Sequence, residues 1–107
     1  MILPYKFIDI FSTIQRGMLG NVTPNLRALY VVFENPKSFE LIFYFDKPPS
    51  VDEEEFASLV DTDVLSDFPS PYFKTGFSTL VFPSPNKILS EGYCVYRRYE
   101  KNYNSLD

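Results

Sequence analysis

Near the start of the chain apolar side chains recur at three- and four-residue spacing: Phe7, Phe11, Ile14 and Met18, flanked by Ile8 and Ile10. That is the period of a single helix face. Pro4 suits a first turn, where its missing N–H is not needed, and Gly17 and Gly20 stand at the far end, so the spacing predicts a first helix over roughly residues 4 to 18. Asn21-Val22-Thr23-Pro24 interrupts the pattern. Leu26 to Phe33 is then almost wholly apolar, β-branched and aromatic, the composition of a buried strand. Turn residues at Asn35-Pro36-Lys37-Ser38 separate it from Phe39 to Asp46, where Phe39, Leu41, Phe43 and Phe45 make one parity entirely apolar. These two runs predict an antiparallel hairpin.

Lys47-Pro48-Pro49 ends that strand, and Ser50 stands three residues before Glu53, the spacing at which hydroxyl and carboxylate cap a helix reciprocally. A second helix is predicted from there. Phe56, Leu59, Val60 and Val64 form its inward stripe, while Asp52, Glu53, Glu54 and Glu55 crowd the first turn, where the helix dipole favours acids. Asp61-Thr62-Asp63 leaves open a break into a second short helix; Phe68-Pro69-Ser70-Pro71 ends any helical run. Phe77 to Phe82 and Tyr93 to Tyr99 read as two further strands and a second hairpin. The connection from Pro83 to Gly92 exceeds a tight turn and has room for a stretch of strand around Lys87-Ile88-Leu89. The tail after Lys101 is expected to fray. The element order αββαββ predicts an α+β fold: one antiparallel sheet of four or more strands with two helices on one face, which buries the phenylalanine-rich parity. The other face stays partly wet.

At 107 residues this is the length of a single domain, 1-107, and 45% apolar content with 11 Phe and 8 Tyr argues for a packed core. Histidine is absent. That excludes serine–histidine triads, histidine acid–base pairs and most catalytic zinc sites, all of which use imidazole near neutral pH. Cys94 is the sole cysteine, so no internal disulfide forms, and Tyr93-Cys94-Val95-Tyr96 suggests a small buried hydrophobe. The N-terminus lacks the charged start and apolar run of a signal peptide, and no stretch approaches the roughly 20 apolar residues of a membrane span. A cytoplasmic protein without a membrane partner is expected.

Charge changes the picture most. Fourteen acidic residues face 10 basic ones, a net −4, but seven of the acids (Asp52, Glu53, Glu54, Glu55, Asp61, Asp63 and Asp67) fall where no Lys or Arg occurs between Lys47 and Lys74. Capping accounts for the first turn at most. Either the rest is a solvated helix face or it is a docking surface for a basic partner. Four adjacent acids fan around a helix axis and do not converge, and no calcium-loop pattern is present, so neither metal nor cofactor nor catalytic residue is expected there. Tyr30, Ile42, Tyr44 and Tyr96, with Cys94 and Ala28, share the sheet parity away from the helices if the register is regular. Tyrosines on such a face serve either as ordinary core or as an interface. The charge lacks the basic groove that tracks nucleic acid. Arg97, Arg98 and Lys101 among tyrosines read as edge-strand protection, and Gly17 and Gly20 as helix termination.

The segments Gly17-Met18-Leu19-Gly20-Asn21-Val22-Thr23-Pro24-Asn25-Leu26-Arg27 and Asp52-Glu53-Glu54-Glu55-Phe56-Ala57-Ser58-Leu59-Val60-Asp61-Thr62 give the chain its character. In size, acidity and general sequence character it resembles the small acidic immunity proteins of bacterial contact-dependent growth inhibition and related polymorphic toxin systems. The resemblance implies a cytosolic, non-enzymatic protein that binds a cognate toxin domain, often a nuclease, and masks its active site or substrate surface. It transfers no residue by position. The expected partner surface is Asp52, Glu53, Glu54, Glu55, Asp61, Asp63 and Asp67, facing a basic toxin cleft, with Tyr72, Phe73, Tyr44 or Tyr96 as aromatic anchors. The alternative is a structural module that homodimerises through a strand edge or the tyrosine-bearing face.

Overall fold

The computed structural model describes residues 7–35, 38–67 and 74–100. Their order is α1 (Phe7–Met18), β1 (Leu26–Asn35), β2 (Ser38–Phe45), α2 (Val51–Asp67), β3 (Lys74–Val81) and β4 (Tyr93–Arg97). The α+β class and the αββαββ order are as the sequence pattern predicts. Pro4, the Pro-rich run after Asp67 and the tail after Glu100 lie outside the described residues.

Both helices cover one face of a four-stranded sheet. Among the described side chains of α1, Ile10, Ile14 and Met18 are buried with Thr13, while Phe11 sits only half-buried at the flank. The stripe thus runs at four-residue steps from Ile10. Beneath lie Leu26, Leu29 and Val31 of β1 and the whole Phe39, Leu41, Phe43, Phe45 parity of β2. Each such side chain, fully withdrawn from water, contributes roughly 1.5–3 kcal/mol. Helix α2 adds Ala57, Val60 and Val64; Leu59, expected inward, is 57% exposed. One position of rotation explains this, because Ala57, Val60 and Val64 already complete the three- and four-residue stripe. The helix runs unbroken through Asp61-Thr62-Asp63 to Asp67.

The N-terminus of α2 carries the reciprocal cap. Ser50 Oγ accepts from the Glu53 N–H at 3.1 Å, and Glu53 Oε1 accepts from the Ser50 N–H at 2.9 Å. Glu53 also accepts from Asn25 Nδ2 at 3.1 Å and from the Thr23 hydroxyl, tying the helix to the turn before β1. At the end of α1, Gly20 takes φ 77°, a left-handed conformation that closes the helix, and Asn21 donates its backbone N–H to Met18 O at 3.0 Å.

The sheet is mixed, with order β3-β2-β1-β4, and the expected all-antiparallel sheet does not form. β1 pairs antiparallel with β2 and with β4, but β3 lies parallel to β2, with Leu41 opposite Phe77 and Phe45 opposite Val81. The expected second hairpin is therefore absent: β3 and β4 occupy opposite edges. The physical reason is α2. A helix between two strands carries the chain back across the sheet, so that the second strand starts at the same end as the first. The chain from Phe82 to Gly92 must then cross from one edge to the other. It does so as irregular structure rather than strand, over the face away from the helices, where Ile88 drops onto Ala28, Tyr30 and Tyr44 as a small second core.

Register shifts at three places, one of them at Glu34 near the end of β1, alter the parity of the side chains. Tyr96 opposes Leu29 while Cys94 opposes Tyr30, so Val95 is an extra residue in β4. A one-residue insertion sends neighbours to opposite faces. Tyr96 packs against the helix-side core, not beside Tyr30 and Tyr44 as a regular register would place it. Cys94 is exposed, contrary to expectation, because β4 is a short edge strand. In β1 the extra residue is Arg27, between the Leu26–Phe45 and Ala28–Tyr44 pairs.

Arg27 is 0% exposed. Its guanidinium meets Glu100 through two bonds, Nε to Oε2 at 2.8 Å and Nη2 to Oε1 at 2.7 Å, and donates to Asn86 O at 2.8 Å and to Phe82 O. Arg98 continues the network. It reaches Asp46 Oδ2 at 2.9 Å, Glu100 Oε2 at 2.7 Å and the Pro24 carbonyl, and Asp46 accepts from the Ser84 N–H at 2.9 Å. Arg98 is thus an internal tie rather than edge protection; Arg97, at the end of β4, is exposed.

Candidate partner-binding surface

Where α1 crosses α2, Gly17 lets the helices approach closely: a Cβ there would lie 3.2 Å from Asp63 Oδ2 and 3.8 Å from Val60 Cγ2. Beside this contact opens a trough of about 460 Å³ lined by Gly17, Asn21, Asp52, Glu55, Phe56, Leu59 and Asp63. A second hollow of about 260 Å³, lined by Thr13, Arg16, Gly17, Asp63 and Ser66, shares Gly17 and Asp63 with it. Acids spaced three or four apart on one helix share a flank. Asp52, Glu55 and Asp63 therefore rim the trough around the exposed side chain of Leu59.

The other predicted site residues disperse. Glu53 spends its acceptors on the cap and on Thr23 and Asn25; burial opposes its ionisation, but these hydrogen bonds outweigh it and hold the carboxyl below its ordinary value. Glu54 is exposed away from the trough, and Asp67 is the last residue of α2. Tyr44 is half-buried on the opposite face of the sheet, edge-on to Tyr30 at 5.8 Å and to Phe82 at 6.4 Å. Tyr96 faces the helices, and burial pushes its phenol up. Tyr72 and Phe73 lie outside the described residues. Leu59 is the trough residue that the sequence pattern misplaced; its signal was the redundancy of a fourth apolar position beside an already complete stripe.

Asp61 turns the other way, toward Thr75 of β3. Burial pushes its carboxyl above the ordinary value, and the nearby Thr75 hydroxyl offsets this only in part: Asp61 Oδ1 and Thr75 Oγ1 are both buried with no hydrogen-bond partner among the described residues. A carboxyl whose folded pKa is raised favours folding fully below its unfolded value, about pH 4, and that contribution is lost as pH rises through the folded value. At neutral pH the charge is thus a liability. Asp61→Asn is expected to raise the melting temperature at neutral pH by a few degrees, given that ~1 kcal/mol moves a domain of this size by about 4–8 °C. Thermal melts should show that advantage vanish below about pH 4.

Among the described residues no group of three or more Cys, Asp or Glu side chains is placed to hold a metal ion, and no helix is long and apolar enough to cross a membrane. The family model of the MafI2 immunity proteins matches residues 8–100. This chain belongs to that family. The match runs from the first turn of α1 through Glu100, so trough, sheet and arginine network all lie within it. No curated protein matches the chain. As a MafI2 immunity protein the chain belongs among toxin-neutralising proteins, with a toxin as the class of its partner. The expectation of an immunity protein holds at that level; the family is MafI2, and the match does not extend to contact-dependent growth inhibition in particular.

Proposed function

We propose that this MafI2 protein acts in the cytoplasm as a non-enzymatic inhibitor, neutralising a toxin domain of nuclease type by seating the α1–α2 trough against a basic active-site cleft. The observation that carries this reading is the convergence of Asp52, Glu55 and Asp63 around the exposed Leu59. A nuclease cleft is basic because it must hold phosphates, and carboxylates in a shaped frame satisfy the same cations. Charge steers the encounter, whereas residence depends on a few buried contacts. Leu59 supplies such an anchor beside the rim acids. Glu53 is left out of the contact because its carboxylate holds the helix cap.

The test pairs the chain with the toxin product of the neighbouring reading frame. D52K/E55K is expected to slow association by about tenfold or more and to flatten its salt dependence. Leu59→Asp should leave association nearly unchanged and speed dissociation by at least about tenfold. Stopped-flow or surface-plasmon kinetics separate the two, with circular dichroism confirming the fold. If both variants bind and rescue growth as the wild type does, the trough is not the toxin-binding surface.

A further inference from the structure

β3 lies at the edge of the sheet, and among the described residues β2 is its one strand partner. Edge strands usually carry protection: shortness, a bulge, or a charge. β4 has all three, with five residues, an extra Val95 and an exposed Arg97. β3 is neither short nor bulged, and its one charge is Lys74 at its first position. It runs eight residues in unbroken register with β2, and no charged residue occurs from Thr75 to Asn86. Apolar side chains are exposed on both of its faces, Phe77 at 38% and Val81 at 45% toward the helices and Leu80 at 44% toward the other side.

We propose that a second copy of this chain occupies this edge, the two β3 strands pairing antiparallel about a two-fold axis at Ser78. Three features select a second copy. In a chain of net −4, two like-charged molecules meet at least cost along a strand that carries no charge of its own from Thr75 to Val81; Glu40 beside Ser78 and Asp61 beside Thr75 are the acids near it, and those of the trough lie on the α1 flank of α2, away from this edge. The strand is also complementary to its own reverse: about Ser78, Phe77 falls opposite Thr79 and Gly76 opposite Leu80, a large side chain against a small one in both, while Thr75 falls opposite the similarly sized Val81. Gly76 in turn leaves space, since a Cβ there would meet nothing within 4 Å, and with Val32, Glu34, Ser38 and Glu40 it lines a hollow of about 550 Å³. Leu80 of the second copy enters it beside Val32. A two-fold axis perpendicular to the sheet keeps both helix layers on one side of a continuous eight-stranded sheet, so the pair presents two troughs in the same direction.

The assembly is independent of the neutralisation reading and is tested on the free protein. Sedimentation from low micromolar to several hundred micromolar should show a species of twice the 12.4-kDa chain mass growing with concentration. Leu80→Lys and Gly76→Lys, each at a solvent-facing position, should weaken the dimer by at least about tenfold while thermal melts show a folded protein. Tyr93→Lys on β4 should leave it unchanged. A wild type that stays monomeric throughout overturns the proposal and leaves the edge to a strand of another protein. Dimerisation insensitive to both β3 variants, or lost with Tyr93→Lys instead, overturns it equally.

Discussion

Arg27→Ala is expected to cost about 3–5 kcal/mol, the penalty for breaking a buried ion pair from one side. In a domain whose whole stability is roughly 5–15 kcal/mol, that brings the chain close to unfolding at ambient temperature. The cost arises from the groups left unpaired more than from the bond removed. Glu100 keeps its partner Arg98 but loses two charged hydrogen bonds, and the Phe82 and Asn86 carbonyls lose their donor in a space that water does not reach. Those carbonyls belong to the segment that crosses the sheet, so its anchorage should fail with them. Urea titration should show the midpoint fall steeply, and hydrogen exchange should rise first in residues 82–100. Arg27→Met with Glu100→Gln should recover part of the loss, because the buried charge then disappears from both sides. A single Arg27→Ala that melts within a degree or two of the wild type would mean that the network does not carry the fold.

The same network fixes the response to acid. Hydrogen bonds from Arg27 hold the Glu100 carboxyl below its ordinary value against the opposing effect of burial, and the Ser84 backbone N–H does the same for Asp46, with Arg98 assisting both. Groups with depressed folded pKa values stabilise the fold above their unfolded values, near pH 4, and lose that contribution as pH falls through the folded ones. Acid therefore loosens the crossing segment, and without Arg27 the acid limb of the stability curve should become shallower at the Glu100 step.

Arg27 was also the hardest residue to read in the sequence. The local elements were legible because each carries its own period: the helix caps, the apolar parity of β2 and the turn residues specify αββαββ without long-range information. Pairing is not local. The phenylalanine parity says that β2 has a buried face but not which strand lies beside it, and the parallel β2–β3 pair comes from the path of α2 through space. Bulges are less legible still, since one inserted residue at Arg27 or Val95 reverses the face of every later side chain in its strand without any change in composition. That is why Tyr96, read as a neighbour of Tyr44, lies on the helix side. One signal was present: a lone arginine within an apolar strand must find a carboxylate, and Glu100, just past the last strand, could supply it. In the acidic helix the charge was legible but its division was not. The helical period sets Asp52, Glu55 and Asp63 on one flank, while the cap claims Glu53 and Thr75 neighbours Asp61.

Gly92→Ala should be the most damaging change at a glycine, and the reason lies in backbone rather than in side chains. A Cβ on Gly92 would stand 2.4 Å from Val31 O, 2.9 Å from Val31 C and 2.7 Å from Val32 Cγ2. Neither carbonyl atom can yield, because Val31 sits in the middle of β1, paired to Leu41 on one side and to Tyr93 on the other. Relief comes only if β4 moves away, which forfeits its pairing with β1 and draws Val95 and Tyr96 off the core. A loss of about 2–4 kcal/mol is expected, in the upper range for overpacking. Two other glycines calibrate the result. Gly20→Ala places a side chain at φ 77° with no atom nearby, so its cost is the left-handed backbone alone, roughly 1–2 kcal/mol. Gly76→Ala meets nothing and has ordinary φ, so the monomer's stability should barely move. Chemical denaturation of the three variants should rank them in that order; if Gly92→Ala were as mild as Gly76→Ala, β4 would not be seated against Val31 as the register requires.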